Sequence, residues 1–101
     1  MVYKIEYGED FCQGIAVIPD GKGILICNYR VELTLAEHTI VAFLFERGTW
    51  TDRKEISSVL SVKEKSIPVH VSNINKKARM VSGRGLIEGN RSGEYRVFPN
   101  P

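Results

Sequence analysis

Apolar and polar residues alternate in "VYKIEY", residues 2–7, as in a strand with one face buried. Two runs rich in Ile and Val follow in "GIAVIPDGKGILICNYRVEL", on either side of "PDGKG". Asp-Gly between such runs predicts a hairpin turn, because the turn needs a residue that tolerates positive φ. "DGKG" lacks the length and the Gly-Lys-Ser/Thr ending of a phosphate loop, so it is read as a turn. Residues 1–33 are therefore expected to form a small antiparallel sheet.

The period then changes from two to near 3.6. In "TLAEHTIVAFLFERG", Thr34 and Glu37 have the spacing of a capping box. Leu35, Ile40, Val41, Leu44 and Phe45 supply an apolar stripe, and Gly48 suits a left-handed helix end. "TWT" is briefly β-prone, with Trp50 expected to pack against the later hairpin. "DRKEISSVL" predicts a second, short helix capped by Asp52, with Ile56, Val59 and Leu60 inward. After a linker "SVKEK", Ser66 is read as the cap of a third helix, with Pro68 in its first turn.

On this third helix, Ile67, Val71, Ile74 and Ala78 share one face at 3.6 residues per turn. Val69, Ser72, Asn73, Lys76 and Met80 occupy the opposite face, flanked by His70, Lys77 and Arg79. The asparagines and cations on that outer face come without the usual glutamates; no carboxylate stands between Ser66 and Leu86. "LIEGNRSGEYRVF" then predicts two short strands around Arg91-Ser92-Gly93.

Charge sharpens this picture. The net charge is only +2, but residues 1–62 carry six Lys and Arg against nine acids, whereas residues 63–96 carry eight against three. A basic segment on an otherwise acidic domain is a candidate footprint for a polyanion, and equally reads as a solvated face. The length of 101 residues, 43% of them hydrophobic, allows one domain with one modest core. No window approaches the ~18 apolar residues of a membrane span, and "MVYKIEYGED" is not read as a signal peptide. Cys12 and Cys27 form no CxxC and are expected to be reduced, which with the lack of a leader places the expectation in the bacterial cytoplasm. His38 and His70 lack companion ligands for a metal, Ser57, Ser58 and Ser82 lack a base partner, and no catalytic or cofactor-binding set stands out. Neither an enzyme, a metal nor a cofactor is expected.

A sheet, three helices and a hairpin in this order give an α+β fold of the winged helix-turn-helix kind, one domain over residues 1–101. Its parts are an N-terminal β-sheet (1–33), a three-helix core (34–81) and a wing (86–98). In that arrangement the third helix enters the major groove of double-stranded DNA and the hairpin lies beside the backbone or in the minor groove. Asn hydrogen-bonds adenine edges, Lys meets guanine or phosphate, and Val69 suits a thymine methyl.

The sequence from about Leu33 to Val97 resembles the effector domain of OmpR/PhoB-type response regulators, shared with ToxR/CadC-type regulators. "LTLAEHTIVAFL" is similar to the family's LTxxE helix, and "GTWTDRKEI" to the turn opening its second helix. "IPVHVSNINKKA" resembles VDVHIxxLRxKL, and "IEGNRSGEYRV" follows IxTVRGxGYRL. The resemblance implies a four-stranded sheet before the first helix and a DNA-binding transcriptional regulator. It places Asn73, Lys76 and Lys77 on the recognition helix, Arg91 at the wing tip in the minor groove, and Thr51 and Arg53 at phosphate. With the outer-face reading, the expected DNA-binding set is Val69, His70, Ser72, Asn73, Lys76, Lys77, Arg79, Arg91, Thr51 and Arg53. It also implies head-to-tail pairs on direct-repeat half-sites and contact with RNA polymerase through the loop between helices two and three.

The departures are specific. Asn75 stands where the family has arginine, Ser92-Gly93-Glu94 replaces Gly-x-Gly, and "SVKEK" is several residues shorter than the family's polymerase-contacting loop. A receiver domain of about 120 residues has no room here. The chain is expected to be a stand-alone regulator or one domain of a longer, ToxR-like protein. The competing reading is a winged helix used for protein contact without DNA; RNA binding is weaker, because no surface set of aromatics is evident for stacking bases.

Overall fold

The computed structural model describes residues 15–26 and 29–97. The strand expected at "VYKIEY", and with it the fourth strand of the N-terminal sheet, lies outside the described residues, as do both cysteines.

Three antiparallel strands open the described chain: β1 (Ile15–Val17), β2 (Gly23–Ile26) and β3 (Tyr29–Glu32), paired in that order. The register sets Ile15 opposite Ile26 and Ile24 opposite Val31. The "PDGKG" segment is the expected turn. Asp20 Oδ1 accepts the N–H groups of Lys22 and Gly23, each at 2.8 Å, and Gly21 takes φ +77°. The run "GILICNYRVEL", expected as one strand, instead supplies both β2 and β3. Folding it back gives Ile24 and Val31 a common core face, which one extended strand of that length could not do.

Helix α1 (Leu35–Arg47) begins with the capping box the sequence predicts: Thr34 Oγ1 accepts from Glu37 N, and Glu37 Oε1 accepts from Thr34 N. Gly48 ends it in the left-handed region, as expected. Ile40, Val41 and Leu44 are fully buried, but Leu35, expected inside, is 70% exposed. It is the first helical residue, and the buried positions of α1 begin two residues later at Glu37.

Strand β4 (Thr51–Asp52) runs directly into α2 (Arg53–Leu60), whose cap is Asp52, with Oδ1 accepting from Lys54 N at 2.7 Å. Ile56 is buried and Leu60 half-buried, but Val59, expected inside, is exposed. Eight residues make barely two turns, and Ile56 and Leu60 already fill the face toward the core. A 3-10 turn (Glu64–Ser66) leads into α3 (Ile67–Ser82). Ser66 is not a side-chain cap: its backbone is already helical (φ −81°, ψ −18°) and its hydroxyl makes no capping bond. The 3-10 turn does that work by feeding the helix from within.

Ile67, Val71, Ile74 and Ala78 of α3 are all buried, as their spacing predicts, and join one core with the strands and α1. Strands β5 (Ile87–Gly89) and β6 (Glu94–Val97) close the described chain as an antiparallel hairpin. Strand β4 pairs along the other edge of β6, with Thr51 opposite Tyr95, giving a second three-stranded sheet in the order β4-β6-β5. Arg96 lies over the Trp50 ring at 4.3 Å, so Trp50 does pack on the hairpin.

Candidate nucleic-acid interface

The outward stripe of α3 follows from its inward one. Four buried residues fix the helix rotation, which leaves Val69, Asn73, Lys76 and Met80 within about 60° of each other on the far side. Val69 (59%) and Met80 (87%) are exposed, as are Ser72, Lys76 and Arg79; Asn73 and His70 are half-buried. No acid stands in the first turn of α3.

The two flanks of this stripe are both tied down. On one, Lys77 Nζ donates to Glu37 Oε1 of α1 at 2.6 Å. Burial of Glu37 raises its carboxyl pKa, but the hydrogen bonds from Lys77 and from the Thr34 backbone outweigh that and hold it below the ordinary value. On the other flank, Asn75 reaches the hairpin: its Oδ1 accepts from Leu86 N and Ile87 N, each at 2.8 Å, and its Nδ2 donates to Ile87 O at 2.9 Å.

The hairpin tip is a tight turn over residues 90–93. Gly93 N donates to Asn90 O, Asn90 Oδ1 accepts from Ser92 N and Glu94 N, and Gly93 takes φ +80°. Arg91 and Ser92 are left exposed at its end. Arg53 N donates to Gly93 O at 3.0 Å, joining the tip to the start of α2.

Ion pairing separates the cations into two groups. Arg30, Arg47, Arg53, Lys77 and Arg96 each hold a carboxylate: Asp20 and Glu32, Glu55, Glu64, Glu37 and Glu88 respectively. Among the described residues Lys22, Lys54, Lys63, Lys65, Lys76, Arg79, Arg84 and Arg91 have no such partner. Every acid of residues 63–96 is meanwhile engaged, Glu64 with Arg53, Glu88 with Arg96, and Glu94 with the Asn90 amide at 2.9 Å. Six of these eight lie on α3, the turn before it, the loop after it and the hairpin tip, so the uncompensated positive charge is densest there.

The structure places two of the expected residues away from the open face of α3. Thr51 is only 2% exposed, and its hydroxyl donates to Thr49 O at 3.2 Å; as a β4 residue between the hairpin and α2 it has no side chain to offer a phosphate. Lys77 is engaged by Glu37, because the 3.6-residue period turns it toward α1 rather than outward. Arg53 is partly committed in the same way, its Nε donating to Glu64 Oε2 at 3.2 Å beside Lys63 and Lys65. The sequence reading passed over Lys63, Lys65 and Arg84 as site residues. In sequence Glu64 stands between Lys63 and Lys65, and only the structure shows it held by Arg53.

The protein has a winged helix-turn-helix fold. Its structure is similar to the DNA-binding domain of the response regulator AdeR, solved in complex with an intercistronic region. The likeness spans 96% of this chain and all of that one, at 24% identity and a TM-score of 0.71. No protein-family model and no curated protein sequence matches. In winged-helix terms α3 is the third helix, and β5 and β6 form the wing. No described helix is long and apolar enough to cross a membrane.

Proposed function

We propose that this protein is a sequence-specific, double-stranded-DNA-binding transcriptional regulator of the OmpR/PhoB type, acting in the cytoplasm through its single winged-helix domain rather than as an enzyme. The observation that carries the reading is the set of unpaired cations Lys63, Lys65, Lys76, Arg79, Arg84 and Arg91, in a segment whose acids are all engaged elsewhere. A polyphosphate is the partner such a surface fits. The fold shared with the AdeR domain, itself solved with an intercistronic region, supports the same partner.

In this reading Val69, Ser72, Asn73 and Lys76 face base edges in the major groove. Asn73 offers a bidentate amide to adenine, Lys76 a donor to guanine, and Val69 a methyl surface to thymine. His70 borders this set. Arg79, Lys63 and Lys65 meet phosphates, with Arg53 behind them on its Glu64 anchor, and Arg91 enters the minor groove from the wing tip. Pairs of molecules occupy direct-repeat half-sites about one DNA turn apart. RNA polymerase contact would run through residues 61–65, a loop short enough that phosphate competes for the same lysines.

The test is a fluorescence-anisotropy titration with mixed-sequence duplex between about 50 and 200 mM salt, followed by selection of bound sequences. Each neutralised phosphate contributes about −0.9 to the slope of log affinity against log salt, so four or five contacts give roughly −4. A steep slope and a recovered tandem motif are the expected results. Absence of binding even at the lowest salt would make the face a solvated one and return the domain to a protein-contact role.

A further inference from the structure

We infer that Asn75 is a positioning residue for DNA recognition, locking the wing to the recognition helix so that Arg91 and the outer face of α3 engage one duplex together. This rests on the DNA-binding reading above. Asn75 lies on the flank of α3 away from Lys77 and does not share the outward stripe. Its carboxamide oxygen takes two backbone N–H groups, of Leu86 and Ile87, and its amide donates to the Ile87 carbonyl. Both oxygen lone pairs and one amide hydrogen are thereby used on the first residues of the wing. Among the described residues no other α3 side chain hydrogen-bonds to the hairpin.

The contact is fitted from both sides. A Cβ added at Gly85 would lie 2.9 Å from Asn75 Cγ and 3.0 Å from its Oδ1, so the approach requires a residue without a side chain at position 85. Other residues at 75 fail for distinct reasons. Asp sets a second acceptor against the Ile87 carbonyl, Ser and Ala fall short, and Gln carries an extra methylene into the space Gly85 closes. The remaining ties of the wing lead elsewhere. Tyr95 pairs with Thr51 of β4, Gly93 O accepts from Arg53 N, and Leu86 and Ile87 are buried in the core. Those contacts hold the wing to α2 and to the core that α3 shares, whereas Asn75 adds the directional hydrogen bonds that set its placement against α3. A two-point grip gains from this, because a wing already fixed loses little freedom when Arg91 reaches the DNA.

A double-mutant cycle tests the lock. Affinities of the wild type, Asn75→Ala, Arg91→Ala and the double variant are measured for the selected duplex at two salt concentrations, below each variant's melting temperature. Asn75→Ala is expected to weaken binding about tenfold and to lower the salt slope by about one, as Arg91→Ala does. In the Arg91→Ala background it should cost less than about twofold. Gly85→Ala, which drives a Cβ into the same carboxamide, should reproduce the loss and the coupling, and serves where Asn75→Ala does not fold. Equal losses with and without Arg91, or unchanged affinity in a folded variant, overturn the lock. Failure of the wild type to bind duplex DNA overturns the DNA reading and the lock with it; wild-type binding with additive losses overturns the lock alone.

Discussion

Helices α2 and α3 are the two halves of the helix-turn-helix, and their outward faces differ both in charge and in how that charge is answered. On α2, Glu55 pairs with Arg47 of α1, and exposed Lys54 has no ion-pair partner. On α3, exposed Lys76 and Arg79 have no acid on their own face, and the nearest acids along the chain, Glu64 and Glu88, are held by Arg53 and Arg96. The α2 face answers its carboxylate within the molecule and leaves one cation, Lys54, unpaired. The α3 face has no carboxylate and leaves Lys76 and Arg79 to be answered from outside. Counting charges already separates the two helices, with Glu55 on α2 and no acid on α3; tracing each charge to its partner shows which cations stay free.

Reversing charge on each face should break the comparison most visibly. Lys76→Glu removes a cation and sets a carboxylate against phosphate, so it should lower the salt slope by about two and weaken duplex binding about a hundredfold near 50 mM salt. Lys54→Glu makes the same change of charge on α2 and should stay within about twofold. Anisotropy titrations of both variants over the same salt range give the answer. Equal losses would mean that the field of the whole molecule, rather than the α3 face, governs binding.

Lys77 sharpens the contrast, being a cation of α3 that is answered internally. Glu37 is 3% exposed, with its pKa held below 4.5 by Lys77 and Thr34 against the effect of burial. A carboxylate whose pKa falls on folding stabilises the protein above its unfolded value, near 4.5, and loses that contribution as pH falls through the folded one. Glu37→Gln should therefore destabilise the domain by about 1–2 kcal/mol at neutral pH, the lower part of the charged-hydrogen-bond range because Lys77 is partly exposed. Its stability should then change less than the wild type's below about pH 4.5. Duplex affinity should not fall, since the change frees Lys77. Urea melts across pH check the first two effects; a variant as acid-sensitive as the wild type would place the titration on another carboxylate.

What was legible in the sequence follows the range of each interaction. The capping box at Thr34 and Glu37, the left-handed Gly48, the "PDGKG" turn and the inward stripe of α3 depend on neighbours within a few positions, and all are present. Leu35 and Val59 fit the local apolar period, yet they face outward, because which turn of a helix meets the core is a tertiary matter. Thr51 is expected as a phosphate contact by resemblance, and its burial comes from β6 pairing beside it, a partner 44 positions away. Lys77 and Glu37 lie 40 positions apart, and neither residue signals the other. Asn75 registered only as a departure from an arginine; its partners are backbone groups, which leave no mark in side-chain pattern. The outward stripe of the candidate interface was readable because it is the complement of the buried one. Its free cations were not, since freedom is a statement about every other residue.

The openings of the two helices give the smallest and most local test. Asp52 and Ser66 both carry the side chains of helix caps, and the sequence reads both that way. In the structure Asp52 Oδ1 accepts from Lys54 N at 2.7 Å, whereas Ser66 follows a 3-10 turn with helical dihedrals and makes no capping bond. The difference matters because α2 has only eight residues and cannot spare a turn, while α3 has sixteen and is pinned by four buried side chains. Asp52→Ala should cost about 1 kcal/mol, by loss of the bond to an otherwise unpaired amide and of a negative charge at the helix start. Ser66→Ala should change stability by less than about 0.5 kcal/mol. Thermal or urea melts of the two variants side by side resolve a gap of that size. If Ser66→Ala costs as much as Asp52→Ala, its hydroxyl caps α3 in solution, and the 3-10 entry would have to unwind to let it.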